Sequence, residues 1–148
     1  MLDIVNNSAA QPSAVQTWAE GEIRRYREQL YLMPPLSQHD VHQVHEWEIT
    51  EPLYIKSIQR TLTSDDLIKY SVPLPKGVKS VQVRFRTGGE SLKPFGKNHH
   101  RSLKNLFQEA DVPPWQRQRI PLIYAAEELI SVLGYWNVQP SCETSKLL

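Results

Sequence analysis

A chain of 148 residues with 40% apolar side chains is long enough to bury a real core and too apolar to remain unfolded. Its net charge of +1 names no partner, its single cysteine, Cys142, permits no intrachain disulfide, and no apolar run approaches the ~20 residues of a spanning helix. The N-terminus MLDIVNNSAAQPSA has no basic region ahead of an apolar one, so neither secretion nor a membrane partner is expected, and a reducing, cytoplasmic location is. The charge is unevenly spread. Between Arg84 and Arg119 stand eight Lys or Arg and three Asp or Glu, net +5, against nine and thirteen, net −4, elsewhere.

In chain order, residues 1–17 read as a polar tail. EIRRYREQLYLM, residues 22–33, is rich in strand-forming types and reads as one strand, with a helix as rival, stopped by Pro34-Pro35. LSQHDVHQVHEWEIT and EPLYIKS each suggest a short strand. TLTSDDLIKYSVPLPKGV reads as a turn-rich connection, and a soft boundary is set near residue 78. Val81, Val83 and Phe85 alternate with Gln82, Arg84 and Arg86, which predicts a strand buried on one face with its arginines turned outward. Ser102 then precedes Leu103, Leu106, Phe107 and Ala110, one apolar helix stripe behind a hydroxyl cap. Pro113-Pro114 ends it, Pro114 can open a further single turn, and PLIYAAEELISVLGYW predicts two strands joined at Glu127-Glu128. Strands flanking a helix give an α/β chain of the α+β type, with mixed sheets and packed helices.

The segment VRFRTGGESLKPFGKNHHRSLKNLF, residues 83–107, combines a strand, a glycine turn, a basic loop and a helix start. Glycines free the backbone for close approach and arginine offers a planar fork to phosphate, so Arg84, Arg86, Gly88, Gly89, Lys93, Lys97, His100, Arg101 and Lys104 are the candidate anion-binding residues. For any one arginine a solvated strand face is the simpler reading; the clustering favours phosphate. Glu90 is expected to orient an arginine, His99 to order the loop, and Trp115 and Trp136 to pack. No catalytic residue is assigned, since His99-His100 lack a titratable partner. His39, His42 and His45 are spaced by three and form the best metal candidate, but with no cysteine and a position between strands they are read as polar linker, and no metal is assigned.

Residues 84–136 resemble the C-terminal domain of bacterial tRNA(Ile)-lysidine synthetase, through the R-x-R-x-GGE turn (Arg84, Arg86, Gly88, Gly89, Glu90), the P-x-G-x-x-H loop (Pro94, Gly96, His99), the S-L-K-x-L-x-Q-E helix and the P-P-W-x-R-x-R-x-P-L segment. Upstream, WAEGEIRRYREQLYLM is similar to the end of that family's helical middle domain. Ala126-Glu127 departs from the pattern, where glycine or Asp-Gly would be expected. The resemblance thus divides the chain into a tail at 1–17, the end of a middle domain with linker and short strands at 18–78, a recognition domain at 79–140, and a tail at 141–148. It implies the fold shared with a domain of the phenylalanyl-tRNA synthetase β subunit.

The resemblance also implies an ATP-dependent ligase that joins lysine to the wobble cytidine of an isoleucine tRNA, in which this part grips the acceptor stem. ATP and magnesium belong to a catalytic domain whose Ser-Gly-Gly-x-Asp-Ser loop does not occur in these residues; TGGES at 87–91 echoes it without the Asp-Ser pair. The chain alone is therefore expected to need no cofactor, to bind tRNA and not DNA, and to catalyse nothing. A homodimer is compatible with the sequence. The alternative is a non-catalytic interaction or adaptor module of the same fold.

Overall fold

The computed structural model describes residues 15–18, 21–33 and 38–140. Most of both expected tails, Pro34-Pro35 and Cys142 lie outside them. The chain divides into two compact units, Met1–Gln38 and His39–Leu148.

In the first unit β1 (Val15–Trp18), β2 (Gly21–Tyr26) and β3 (Gln29–Met33) form an antiparallel meander. The helical ending implied by resemblance is thus replaced by strands, and the single strand expected over 22–33 is a hairpin. Arg27 and Glu28, at φ 51° and 65°, both take the left-handed conformation of a two-residue type I′ turn, whose twist matches the strands it joins.

The second unit is built on one sheet. Its strands β4 (His45–Glu48), β7 (Ser80–Arg84), β10 (Leu122–Ala125), β11 (Glu128–Val132) and β12 (Trp136–Asn137) run in the order β12-β11-β10-β7-β4. Between β4 and β7 come β5 (Leu53–Ile55), a 3₁₀ turn (Lys56–Ile58), β6 (Arg60–Leu62) and α1 (Ser64–Lys69). Between β7 and β10 come β8 (Ser91–Leu92), β9 (Arg101–Ser102), α2 (Leu103–Glu109) and α3 (Pro114–Arg117). Every strand pairing among the described residues is antiparallel, and the α+β expectation holds. Because β4 pairs with β7, the boundary expected near 78 falls inside this unit.

Two cores flank the sheet. One gathers Trp47, Val81, Val83, Ile123 and Ile130 under Ile55, Leu62, Leu67 and Phe85; the other gathers Leu122, Leu129 and Val132 under Leu92, Leu103, Leu106 and Phe107. Strands β10 and β11 are apolar on both faces and are covered on both. Strand β7 is apolar on one face only. Across the second face the register runs Glu46, Gln82, Tyr124, Leu129, polar at the β4 side and apolar at the β11 side, so the α2 layer seals half the face and leaves a polar shelf along β7.

Local sequence explains the helices. The Asp66 carboxylate accepts the Thr63 amide at 2.9 Å, a capping arrangement that starts α1 inside the stretch expected to be connection only. Ser102 caps α2 as expected, its Oγ accepting the Asn105 amide at 3.2 Å. Ala110, expected on the buried stripe, is exposed at the helix end, and buried Val112 closes that core instead. Pro114 opens α3, and Trp136 packs on Phe107, ring centroids 5.4 Å apart. The last hairpin turns at Ala126-Glu127, one residue earlier than expected; it is tight despite lacking glycine, with φ of 49° and 65°. No helix among the described residues is long and apolar enough to cross a membrane.

Candidate nucleic-acid interface

Arg84 ends β7 on the polar shelf. Its Nε donates to Gln82 Oε1 at 2.9 Å, Gln82 in turn donates to Glu46 at 2.6 Å, and the guanidinium carbon lies 4.3 Å from the Tyr124 ring centroid. One face of the guanidinium is thus occupied by an aromatic ring. Arg86 follows beyond the end of the strand; the alternation continues, with Phe85 buried and Arg86 half-buried, but its Nε is buried without a hydrogen bond.

The glycine turn departs most from expectation. Gly88 and Gly89, at φ 123° and 85°, shape the chain so that Glu90 folds back over it. Its carboxylate accepts the Thr87 amide at 2.7 Å, the Thr87 hydroxyl at 3.1 Å and the Gly88 amide at 3.0 Å. Burial alone would raise its pKa, but these hydrogen bonds together hold it below the ordinary carboxylate value. Glu90 therefore takes amides expected to face phosphate, and it holds the turn instead of orienting an arginine. The same geometry fits ATP poorly at this turn, because the Thr87 and Gly88 amides that a phosphate would need are filled by the chain's own carboxylate. No step of ATP chemistry is assigned to these residues.

The basic loop, residues 93–100, joins β8 to β9, whose register pairs Leu92 with Arg101. Lys93, Lys97, His99 and His100 are exposed on it, as is Lys104 in the first turn of α2. Pro94, bridged to Val138, and the Lys97 amide, bonded to the Pro94 carbonyl at 3.0 Å, order the loop; His99, expected to do so, stands in solvent. Arg101 is spent on an ion pair with Glu109. Leu92 and Leu103 pack with Leu122 and Val132, so the layer carrying the three lysines sits on the same face of the sheet as Arg84. Lys93 and His100 also line an open cleft of about 530 Å³ with Ser91, Glu128, Leu129 and Gln139.

Two further cations of the basic segment serve the fold. Arg117 is 8% exposed and donates to the Val112 carbonyl at 2.7 Å, and Arg119 donates to the Ser57 carbonyl at 2.9 Å. The histidine triplet does not converge either. The His39 ring meets Ser57 Oγ at 2.7 Å and the Gln118 carbonyl at 2.6 Å, His42 is exposed, and His45 meets Gln43 Oε1 at 2.7 Å. Two residues escaped the sequence reading: Tyr124, detectable only as the aromatic opposite Arg84's strand, and Phe95, 64% exposed between Lys93 and Lys97. What remains on this face of the sheet is a set of exposed ammonium groups and a ring-stacked arginine, suited to holding a polyanion.

Residues 81–146 match the TilS substrate C-terminal domain family. This domain belongs to that family. The chain is also similar to proteins named tRNA(Ile)-lysidine synthase: 37% identical over 114 residues to that of Coxiella burnetii, covering 77% of this chain and 25% of the relative; 33% over 137 residues to that of Methylococcus capsulatus, covering 88% and 30%; and 36% over 116 residues to that of Proteus mirabilis, covering 78% and 26%. The chain therefore spans about a quarter to a third of the length of these relatives. The TilS substrate C-terminal domain begins inside β7, at Val81, so its sheet is completed by β4 from outside the matched region.

Proposed function

We propose that this chain is the tRNA-binding part of a tRNA(Ile)-lysidine synthase, gripping the acceptor stem through its phosphates while lysine transfer to the wobble cytidine, with its ATP and magnesium, is carried out by residues outside it. The observation that carries this reading is the exposure of Lys93, Lys97 and Lys104 on the sheet face that also bears Arg84. Duplex RNA is held largely by phosphate and 2′-hydroxyl contacts, which need mobile cations on a surface more than a deep pocket. The names of the relatives supply the tRNA and the ligase.

The lysines make a cleaner test than the arginines, because Arg84 and Arg86 are half-buried in the fold. Each lost phosphate contact should flatten the plot of log affinity against log salt by about 0.7 to 0.9. Changing Lys93, Lys97 and Lys104 together to glutamine should reduce the slope by roughly 2 to 3 and leave the circular dichroism unchanged. Unaltered tRNA affinity and slope in a folded triple variant would remove the reading and favour an adaptor role.

A further inference from the structure

Phe95 is held on rigid backbone and pointed at water. The Lys97 amide closes a turn onto the Pro94 carbonyl at 3.0 Å with Gly96 at φ 82°, a type II geometry that places Phe95 at its first corner. Pro94 is buried and bridged to Val138, and the Phe95 amide donates to the Asn137 carbonyl at 2.8 Å. Asn137 is fixed in turn: its side chain donates to the carbonyls of Tyr70 at 2.8 Å and Ser71 at 3.2 Å and accepts the Ser131 hydroxyl at 2.6 Å. The backbone beneath the ring is thus tied to the sheet edge, while the ring itself is 64% exposed and adds little to either core. Among the exposed large apolar side chains of the described residues it is the one inside the basic loop, two residues from Lys93 and two from Lys97.

We infer that Phe95 is a stacking platform for an unpaired base at the end of the RNA helix whose phosphates meet Lys93 and Lys97, an inference that rests on the RNA-binding reading above. A-form duplexes keep their base edges from side chains, so an exposed ring can meet a base face only where pairing ends. Phenylalanine offers a π face and no hydrogen-bonding group, so the contact tolerates any base. Pre-ordering of the turn lowers the entropy lost when the base docks.

The test uses the 148-residue chain and two labelled RNA hairpins with the same stem, one blunt and one carrying a short single-stranded 3′ overhang with 2-aminopurine at its first position. The overhang should tighten binding about tenfold and its fluorescence should be quenched on binding. Phe95→Ala should abolish both effects without changing the salt slope, and Phe95→Trp should keep them. If Phe95→Ala retains the overhang preference and the quench, the stacking inference fails while the RNA reading stands. If the unaltered chain binds neither hairpin at low salt, both fail. Should Phe95→Ala leave RNA binding intact but change the sedimentation of the protein alone, the ring serves contact between copies of the chain and the inference is overturned.

Discussion

The guanidinium of Arg84 lies over the ring of Tyr124, 4.3 Å from its centroid, while Glu90 acts on the same phenol through its charge. Burial raises the Tyr124 pKa above its ordinary 10.0, the Glu90 carboxylate raises it further, and Arg84 opposes both. Replacing Glu90 with glutamine should therefore lower the titration midpoint of Tyr124, and Arg84→Gln should raise it, as followed by the ring resonance in NMR. A raised phenol favours the fold while neutral, so this contribution is lost only as pH climbs past 10 toward the folded value. Opposite shifts in the two variants are the expected signature; shifts of the same sign would contradict the placement.

Glu90→Ala should cost about 1 kcal/mol of stability at neutral pH, because it strips charge-assisted partners from the Thr87 and Gly88 amides, which water in this exposed turn then solvates in part. The carboxylate's depressed pKa fixes the direction of the pH dependence: the stabilisation is complete above 4.5 and is lost as pH falls through the folded value. Urea unfolding at neutral pH and well below 4.5 should show the wild type and Glu90→Ala converging in acid. A constant gap between them would mean that charge plays no part.

His39 should make the fold acid-sensitive in a separate window. A carbonyl can only accept, so Nε2–H donates to Gln118 and Nδ1 accepts from Ser57. Burial lowers the ring's pKa below 6.5 most strongly and the Arg119 charge adds to it, against the opposing Gln118 bond and Asp40. The neutral ring is the folded form, so stability is full above 6.5 and declines as pH drops below it. Thermal melts of wild type should fall between pH 6.5 and the folded value, whereas His39→Gln should start lower and respond less across that interval.

Asn137→Ala should destabilise the domain by about 2 kcal/mol, since it leaves the hydroxyl of fully buried Ser131 without its acceptor and frees two carbonyls. Denaturant unfolding measures it. The same variant should speed hydrogen exchange at the Phe95 amide, which bonds the Asn137 backbone; unchanged exchange there would show that the turn is ordered by other contacts.

Strand β7 and helix α2 were legible because short-range period alone decides them: Val81, Val83 and Phe85 bury one face, and Leu103, Leu106 and Phe107 one stripe. At Arg27-Glu28 the turn carries no glycine and its charged residues continue the pattern of the flanking EIRRYREQ, so two strands read as one. The last hairpin's acidic pair, by contrast, interrupts an apolar run and marks its turn to within one residue. Helix α1 hid among prolines although Thr63 and Asp66 already held its capping pattern. At the site, residue type disclosed the cations but not their duties. Arg101 finds Glu109 and Arg119 finds Ser57 only after folding, and nothing near Gly88 in sequence says that Glu90 will occupy its amide. Phe95 is not legible in the sequence, because a lone aromatic in a loop has no periodicity to mark its direction.

The Glu90 carboxylate on its own turn also bears on discrimination in a cell crowded with small anions. Orthophosphate or a free nucleotide approaching the Thr87 and Gly88 amides would have to evict a tethered competitor whose effective concentration is set by the chain. On the proposed RNA-binding reading, such ligands would be disfavoured without any steric gate. A long polyanion has no need of those amides, because Lys93, Lys97 and Lys104 can engage several of its charges at once, and the gain from linking them grows with their number. On that reading, the turn would bias the surface toward length of ligand over charge of ligand.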